Sequence, residues 1–335
     1  MGRYLARRLL QFIPVVIGTM FLLHYITTLG IQFNGDPVRA LFGDRPPPAE
    51  VLEAIRARYG LDNDCLNQRG NPCVGMFIDR VGQYLQGDFG QSIRMGDRPV
   101  TEIVLERAPV TIRLTAIAIV FETVVGIVIG VMAALRKDKF VDNGVRIVTT
   151  LLISTPIFVF GVLVQVFGAL ALRRWLLAND APDWTSDMFS PVYNVDNPWL
   201  SLVVPGIVLG AVSLASIARL TRTSLIENLR ADYVRTARAK GLPPRRTIGV
   251  HALRNSLIPV VTYIGIDIGM LMGGALITET IFSIPGIGQL VFLAVEFQDA
   301  LVIIGVVTLL VLVFLVANLI VDVLYAVLDP RIRYD

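Results

Sequence analysis

The chain has 335 residues, of which 54% are hydrophobic and 17% charged, with a formal net charge of +3. Soluble domains carry about 45–50% apolar and about 25% charged residues, and here several runs of about 20 residues are almost free of charge, the length that crosses a bilayer as a helix. The reading is an all-α polytopic protein in a lipid bilayer, and with so small a net charge a basic nucleic-acid-binding surface is not the natural reading.

Residues able to carry chemistry are sparse. There are two histidines, His24 and His251, and two cysteines. The only lysines are Lys137, Lys139 and Lys240, and none follows a glycine, so there is no Walker A Gly-Lys pair. No His-Glu-x-x-His, Cys-x-x-Cys or nucleophile elbow is present. The expectation is no catalytic residue, no metal site and no cofactor on this chain. Any ATP and Mg would be held by partner subunits.

In chain order, Arg3, Arg7 and Arg8 precede an apolar run from Leu9 to about Leu29. A cleaved signal peptide has an apolar region of about 7–15 residues ending at small residues. This run is longer and leads into Gly30-Ile31-Gln32-Phe33, so residues 1–30 are read as a retained span 1. Residues 31–110 are the longest polar region and read as a small helical lobe on the outer surface. After Pro46-Pro47-Pro48, helical spacing links Val51, Leu52, Ile55 and Tyr59, and a second amphipathic piece runs through Phe77, Val81, Tyr84 and Leu85. Cys65 and Cys73 lie eight residues apart in DNDCLNQRGNPC. They form a disulfide if the lobe faces an oxidising compartment, or else remain two free thiols; without histidine neighbours they make a poor metal site. Thr101 to Arg107 reads as an interfacial helix leading into span 2.

Residues 111–327 read as a five-helix core. Span 2 covers about Thr111 to Leu135 and ends at Arg136-Lys137-Asp138-Lys139. Span 3 covers about Val145 to Leu172, kinked at Pro156. The following loop carries Trp175, Trp184, Tyr193 and Trp199, an interfacial aromatic signature. Span 4 covers about Ser201 to Leu220, span 5 about Ser256 to Ile277, and span 6 about Leu301 to Val327. A polar hairpin, Thr278 to Gln289, separates the last two, and residues 328–335 form a tail. Lys and Arg number three, four, eight and two in segments 1–8, 136–146, 221–256 and 328–335, against only Arg173 and Arg174 in the two short loops of the other side. Seventeen against two predicts six spans with both termini cytoplasmic. Glu122, Asp267 and Asp322 fall inside spans, with His24 and Gln165. Intramembrane carboxyls are costly and face a bundle interior or a cavity. Asp267 lies among Gly265, Gly269, Gly273 and Gly274. It is either a buried, paired carboxyl or, with Glu279, part of a substrate route.

The most polar stretch of the second half is DYVRTARAKGLPPRRTIGVHALRNSLIP, residues 232–259. Asp232 can cap a helix, and Gly241 with Pro243 and Pro244 stops it, which predicts a short helix from Tyr233 to Lys240. Taken alone, the segment is also a solvated basic loop. The pattern Ala237-x3-Gly241, with Leu253 twelve residues beyond the glycine, resembles the coupling loop of ABC importer permeases. Arg235 and Thr236 stand where that loop usually has Glu and Ala, and His251 and Arg254 where it prefers an apolar residue and proline. The wording DYVRTARAKG…HALRNSLIPV, with GDFGQS at 87–92, Ala211–Asn228 and TETIFSIPGIG at 278–288, is similar to the dipeptide and oligopeptide branch, B-type subunit. The resemblance implies a type I importer permease fold in the cell membrane. It implies that Asp232, Tyr233, Arg235, Thr236, Ala237, Arg238, Ala239, Lys240, Gly241 and Leu242 meet a cytoplasmic ATPase subunit. It further implies a homologous second permease, an extracytoplasmic substrate-binding protein and a short-peptide cargo. Nickel chelates or glutathione are alternatives among related importers. An ion-coupled transporter or channel is the alternative of a different class.

Overall fold

The computed structural model describes residues 2–35, 38, 42, 47–92, 95–297 and 299–328, and these are helical with no sheet among them. Asp329 to Asp335, most of the expected tail, and the side chain of Asp322 lie outside the described set. The helices are α1 (Gly2–Asn34), α2 (Ala49–Arg58), α3 (Val74–Leu85), α4 (Val100–Leu135), α5 (Phe140–Ser154) and α6 (Ile157–Ala178). After two short turns follow α7 (Val203–Asn228), α8 (Asp232–Ala239), α9 (Ile258–Ile281), α10 (Ile287–Glu296) and α11 (Ala300–Leu328). Four stretches are long and apolar enough to cross a membrane: Leu10–Phe33, Val100–Leu135, Ile157–Ala178 and Val203–Asn228. Helix α9, bent by 53°, makes a fifth. The 29-residue α11 supplies the sixth, in keeping with the expected number.

Two boundaries differ from expectation. Pro156 does not kink one span but separates two helices: Thr155 before it is extended, at φ −91° and ψ 123°. A residue preceding proline is pushed out of the helical region by the ring, so the crossing helix starts at Ile157 and α5 stands apart. Pro109, by contrast, breaks nothing. The expected interfacial helix and span 2 are one 36-residue helix, α4. Arg98 steadies its first turns by donating to Glu102 at 2.7 Å and Glu106 at 2.8 Å, and the neighbouring turns bridge the hydrogen bond that proline cannot make.

The chain forms two compact units, Met1–Pro109 with Gln289–Asp335, and Val110–Gly288. The last helix groups with the first. In the first unit α1 packs on α11, and the lobe has its own small core of Leu52, Leu61, Leu66 and Cys73, closed by Ile31, Ile55, Tyr59 and Met76. Cys65 and Cys73 are joined by a disulfide, with Cα atoms 5.7 Å apart. Gln32 ties the bridged loop to the end of α1, donating to the Asn71 carbonyl at 2.9 Å and accepting from Gly70 N at 2.8 Å. The GDFGQS motif turns at Gly87 and Gly90, both at positive φ. Ser92 then donates to the buried Asp299 at 2.8 Å just ahead of α11, and Gly305 lets that helix press against the Phe89 carbonyl.

In the second unit α7 is the hub, packing on α5, α6 and α9. Its contact with α4 is unusually close. A Cβ at Gly206 would meet the Ile117 side chain at 2.5 Å, and one at Gly210 the Ala118 carbonyl oxygen at 2.8 Å. From the α4 side, Gly126 faces Ile217 and Gly130 faces Thr221, at 2.8 and 2.7 Å. Each helix thus offers two glycines four residues apart, which put two backbones nearly in touch. Filling such a seam forces the backbones apart, at a typical cost of about 1–3 kcal/mol. Gly210→Val and Gly130→Val are expected to lower the thermal unfolding midpoint of the purified chain in detergent or to prevent its accumulation. Gly144→Ala, where nothing lies within 4 Å, should match the wild type or gain slightly.

The bridged loop adds a second expectation. Closing a loop of eight residues stabilises by about 2–3 kcal/mol in the entropy account. Cys65→Ser with Cys73→Ser should therefore lose lobe stability, read as faster backbone hydrogen exchange over residues 61–85, while exchange in α7 stays unchanged.

Candidate functional site

Helix α8 starts one residue earlier than the sequence indicated. Ala231 occupies the N-cap position without a side-chain cap. Asp232 sits in the first turn, where a carboxylate favours the helix dipole, and pairs with Arg235 at 3.0 Å. Gly241 has φ +77°, the left-handed conformation that stops a helix at little cost only for glycine. Val234 and Ala237, three residues apart, face inward at 0% and 6% exposure. Val234 packs into a cluster with Ala134 of α4, Leu225 of α7 and Ala252, so α8 is seated on the ends of the two helices that form the glycine seam.

The outer face of α8 carries Tyr233, Arg235, Thr236, Arg238 and Ala239, followed by Lys240 and Gly241, all exposed. Tyr233 is fixed by its hydroxyl, which donates to Asn228. Leu242 is half-buried as the chain turns back. The methyl group of Ala237 is covered by this chain. A bulky residue at 237 would unseat α8 rather than probe what binds outside it.

A second anchor lies near this seat and went unnoticed in the sequence, its two residues being 80 apart. Asp142 at the start of α5 is fully buried and receives both ends of the Arg222 guanidinium, at 2.5 and 2.7 Å. It also accepts from Asp138 N at 2.9 Å. Those donors, Arg222 first, hold its carboxyl down at about 2. A carboxyl depressed in the folded state contributes stability above its unfolded pKa of about 3.9, and that contribution disappears as pH falls through the folded value. The expectation is a wild-type unfolding midpoint that falls between about pH 4 and pH 2 more steeply than that of Asp142→Asn, which starts lower at neutral pH. Equal slopes would show that the pair does not couple to folding.

Deeper in the same unit, Glu122 of α4 is fully buried with Asp267 of α9 as its charged neighbour. Ser213 of α7 donates to Asp267 at 2.9 Å. Three helices are thereby joined by one polar cluster. Glu279 is also fully buried, and it does something different. It accepts from Thr111 at 2.7 Å, the Thr111 oxygen accepts in turn from Ile287 N at 2.9 Å, and Gly286 and Gly288 leave the room its carboxylate fills. The TETIFSIPGIG hairpin is folded around this carboxylate. Among the described residues no group of three or more His, Cys, Asp or Glu is placed to hold a metal.

These features define an all-helical polytopic membrane protein with a short amphipathic helix docked on the ends of two close-packed spans. Residues 126–334 match the family described as binding-protein-dependent transport system inner membrane component. The chain is 36% identical to the di/tripeptide transport system permease protein of Pseudomonas aeruginosa over 99% of both chains. It is 36% identical to the dipeptide transport system permease protein of Escherichia coli, over 100% of this chain and 99% of the relative. It is 35% identical to the glutathione transport system permease protein of Escherichia coli over the whole of both. The chain belongs to this family of inner-membrane transport components, as a permease subunit and not an enzyme.

Proposed function

We propose that this chain is one of two homologous permease subunits of an ATP-driven importer for short peptides. The names of the relatives support the peptide class, with glutathione, itself a peptide, among them. The observation that carries the reading is the seat of α8: Val234 packs with Ala134 of α4 and Leu225 of α7 and Ala237 is buried beside it on the same face, while a basic face is left outward. In this reading the Lys/Arg-rich ends and both termini are cytoplasmic. ATP and Mg belong to the ATPase subunits that grip α8, and a substrate-binding protein delivers peptide from the opposite side. The 31–110 lobe lies on that opposite side, where its disulfide is stable.

The mechanism follows from the packing. A push on α8 is passed on, because Val234 on its inner face packs with Ala134 of α4 and Leu225 of α7. The glycine seam is packed without slack, Ile117, Ile217 and Thr221 pressing directly on the facing glycines, so α4 and α7 move together. The Glu122–Asp267–Ser213 cluster hands that movement to α9, which borders the route. Asp267 and Glu279 act in this reading by holding helices and not by touching peptide. Asp267→Asn should therefore leave the ratio of cationic to anionic peptide uptake unchanged in protein of normal yield; a changed ratio would place Asp267 in the route.

The direct experiment targets the outer face alone. Arg235→Glu with Lys240→Glu should accumulate and unfold like the wild type, since both side chains are exposed. It should co-purify with less ATPase and lose peptide uptake. Ala237→Trp should fail earlier, in the stability of the chain itself. Normal ATPase co-purification and uptake with the double reversal would remove α8 as the coupling element.

A further inference from the structure

The lobe contains a cavity of about 550 Å³, a size typical of small-molecule sites, and its charges are unbalanced in a particular way. Two guanidinium groups line it, those of Arg58 and Arg80. Arg58 is neutralised by Asp97 at 3.0 Å, a carboxylate that also accepts from the Tyr59 hydroxyl. Arg80 has no such partner among the described residues. Its guanidinium donates to Nδ1 of His24 at 3.3 Å. The His24 Nε2 faces the Pro72 carbonyl at 3.2 Å, so the ring accepts on one side and donates on the other and offers Arg80 no negative charge. The other electrostatic neighbour is the Tyr84 hydroxyl, and burial pulls the guanidinium below its usual pKa. Charges withdrawn from water are usually paired, and this half-buried one is left facing a cavity.

The remaining walls say what would complete it. Tyr84 and Phe89 stack at 5.0 Å and give a flat apolar side. Asp62, Asp79 and Asp88 are exposed at the mouth. A simple anion would be attracted by Arg80 and repelled by this acidic rim. A molecule with a carboxylate at one end and an ammonium at the other satisfies both. We propose that the cavity is a binding site for a small zwitterion, its carboxylate on Arg80 and its ammonium toward Asp62, Asp79 and Asp88. The ligand chemistry comes from the cavity's own charges and does not depend on the cargo proposed above. A free amino acid and a short peptide share it.

The test uses the permease assembled with its partner subunits in lipid nanodiscs, without the substrate-binding protein. Binding of radiolabelled alanine and alanylalanine is measured by equilibrium dialysis. Saturable binding of either is expected, the tighter of the two identifying the source. Arg80→Gln should weaken it by about tenfold or more, the scale of one lost charge-assisted hydrogen bond. The glutamine amide can still donate to His24, and an unchanged unfolding midpoint confirms an intact lobe. Alaninamide, which lacks the carboxylate, should lose as much. N-acetylalanine, which lacks the ammonium, should bind more weakly than alanine, and Asp79→Asn, at an exposed position that cannot unfold the lobe, should narrow that difference. Arg69→Gln, outside the cavity, should change nothing. No saturable binding to the wild type, binding indifferent to Arg80→Gln, or alaninamide binding as well as alanine would each overturn the proposal. Such results would leave the cavity to an acidic side chain of a partner protein. Because uptake of peptide is not the readout, failure here is distinct from failure of the importer reading.

Discussion

The distance between α4 and α7 is the constraint on which the second unit depends. Gly126, Gly130, Gly206 and Gly210 let the two helices approach so closely that a Cβ at any of them would overlap the facing helix. In a bilayer there is no hydrophobic driving force between helices, so association rests on close packing and polar contacts. The seam supplies the first. Its position also decides where the polar contacts fall: Glu122 lies on the same face of α4, one turn before Gly126, and meets Asp267 beside Ser213 of α7. At the far end, the same two helices form the floor on which Val234 docks. A rigid pair of helices with a docked α8 at one end and a polar cluster in its middle is a lever, and a cushion of leucines in the seam would make it a poor one.

The buried charges follow one rule. Among the described residues, four buried carboxylates are each held by a partner from a distant part of the chain: Asp142 by Arg222, Asp267 by Ser213, Glu279 by Thr111, Asp299 by Ser92. Removing one member of such a set leaves the other desolvated and unpaired, which costs more than the pair contributes net. These groups thereby specify which helices are neighbours, where apolar faces alone would accept several arrangements. Arg80 is the exception among the cations lining the lobe cavity, and that is why it points to a ligand.

Much of this was legible in the sequence. Charge-free runs and the Lys/Arg count gave the number of spans, because the cost of burying charge in a bilayer dominates everything else at that scale. Gly241 and the two prolines gave the end of α8, because backbone sterics are local. The face that α8 buries was not legible, since eight residues present several possible faces and only the neighbours choose Val234 and Ala237. The Pro156 break was missed because a proline in an apolar run reads equally as a kink. The Asp142–Arg222 pair joins residues too far apart in the chain for any local pattern. The seam did leave a signal: two Gly-x-x-x-Gly pairs, one in each of two predicted spans. Read together, they would have placed those spans side by side.

The central claim is that ATP hydrolysed by partner subunits moves this chain and that the movement carries a solute across. It is tested most directly by reconstituting the purified complex in proteoliposomes and following uptake of a labelled dipeptide. ATP is supplied on the Lys/Arg-rich side and the substrate-binding protein on the other. The account predicts uptake that requires both and persists when a proton ionophore collapses the gradient. Uptake driven by an imposed proton gradient without ATP would contradict it, and would assign the Glu122–Asp267 pair to proton coupling instead.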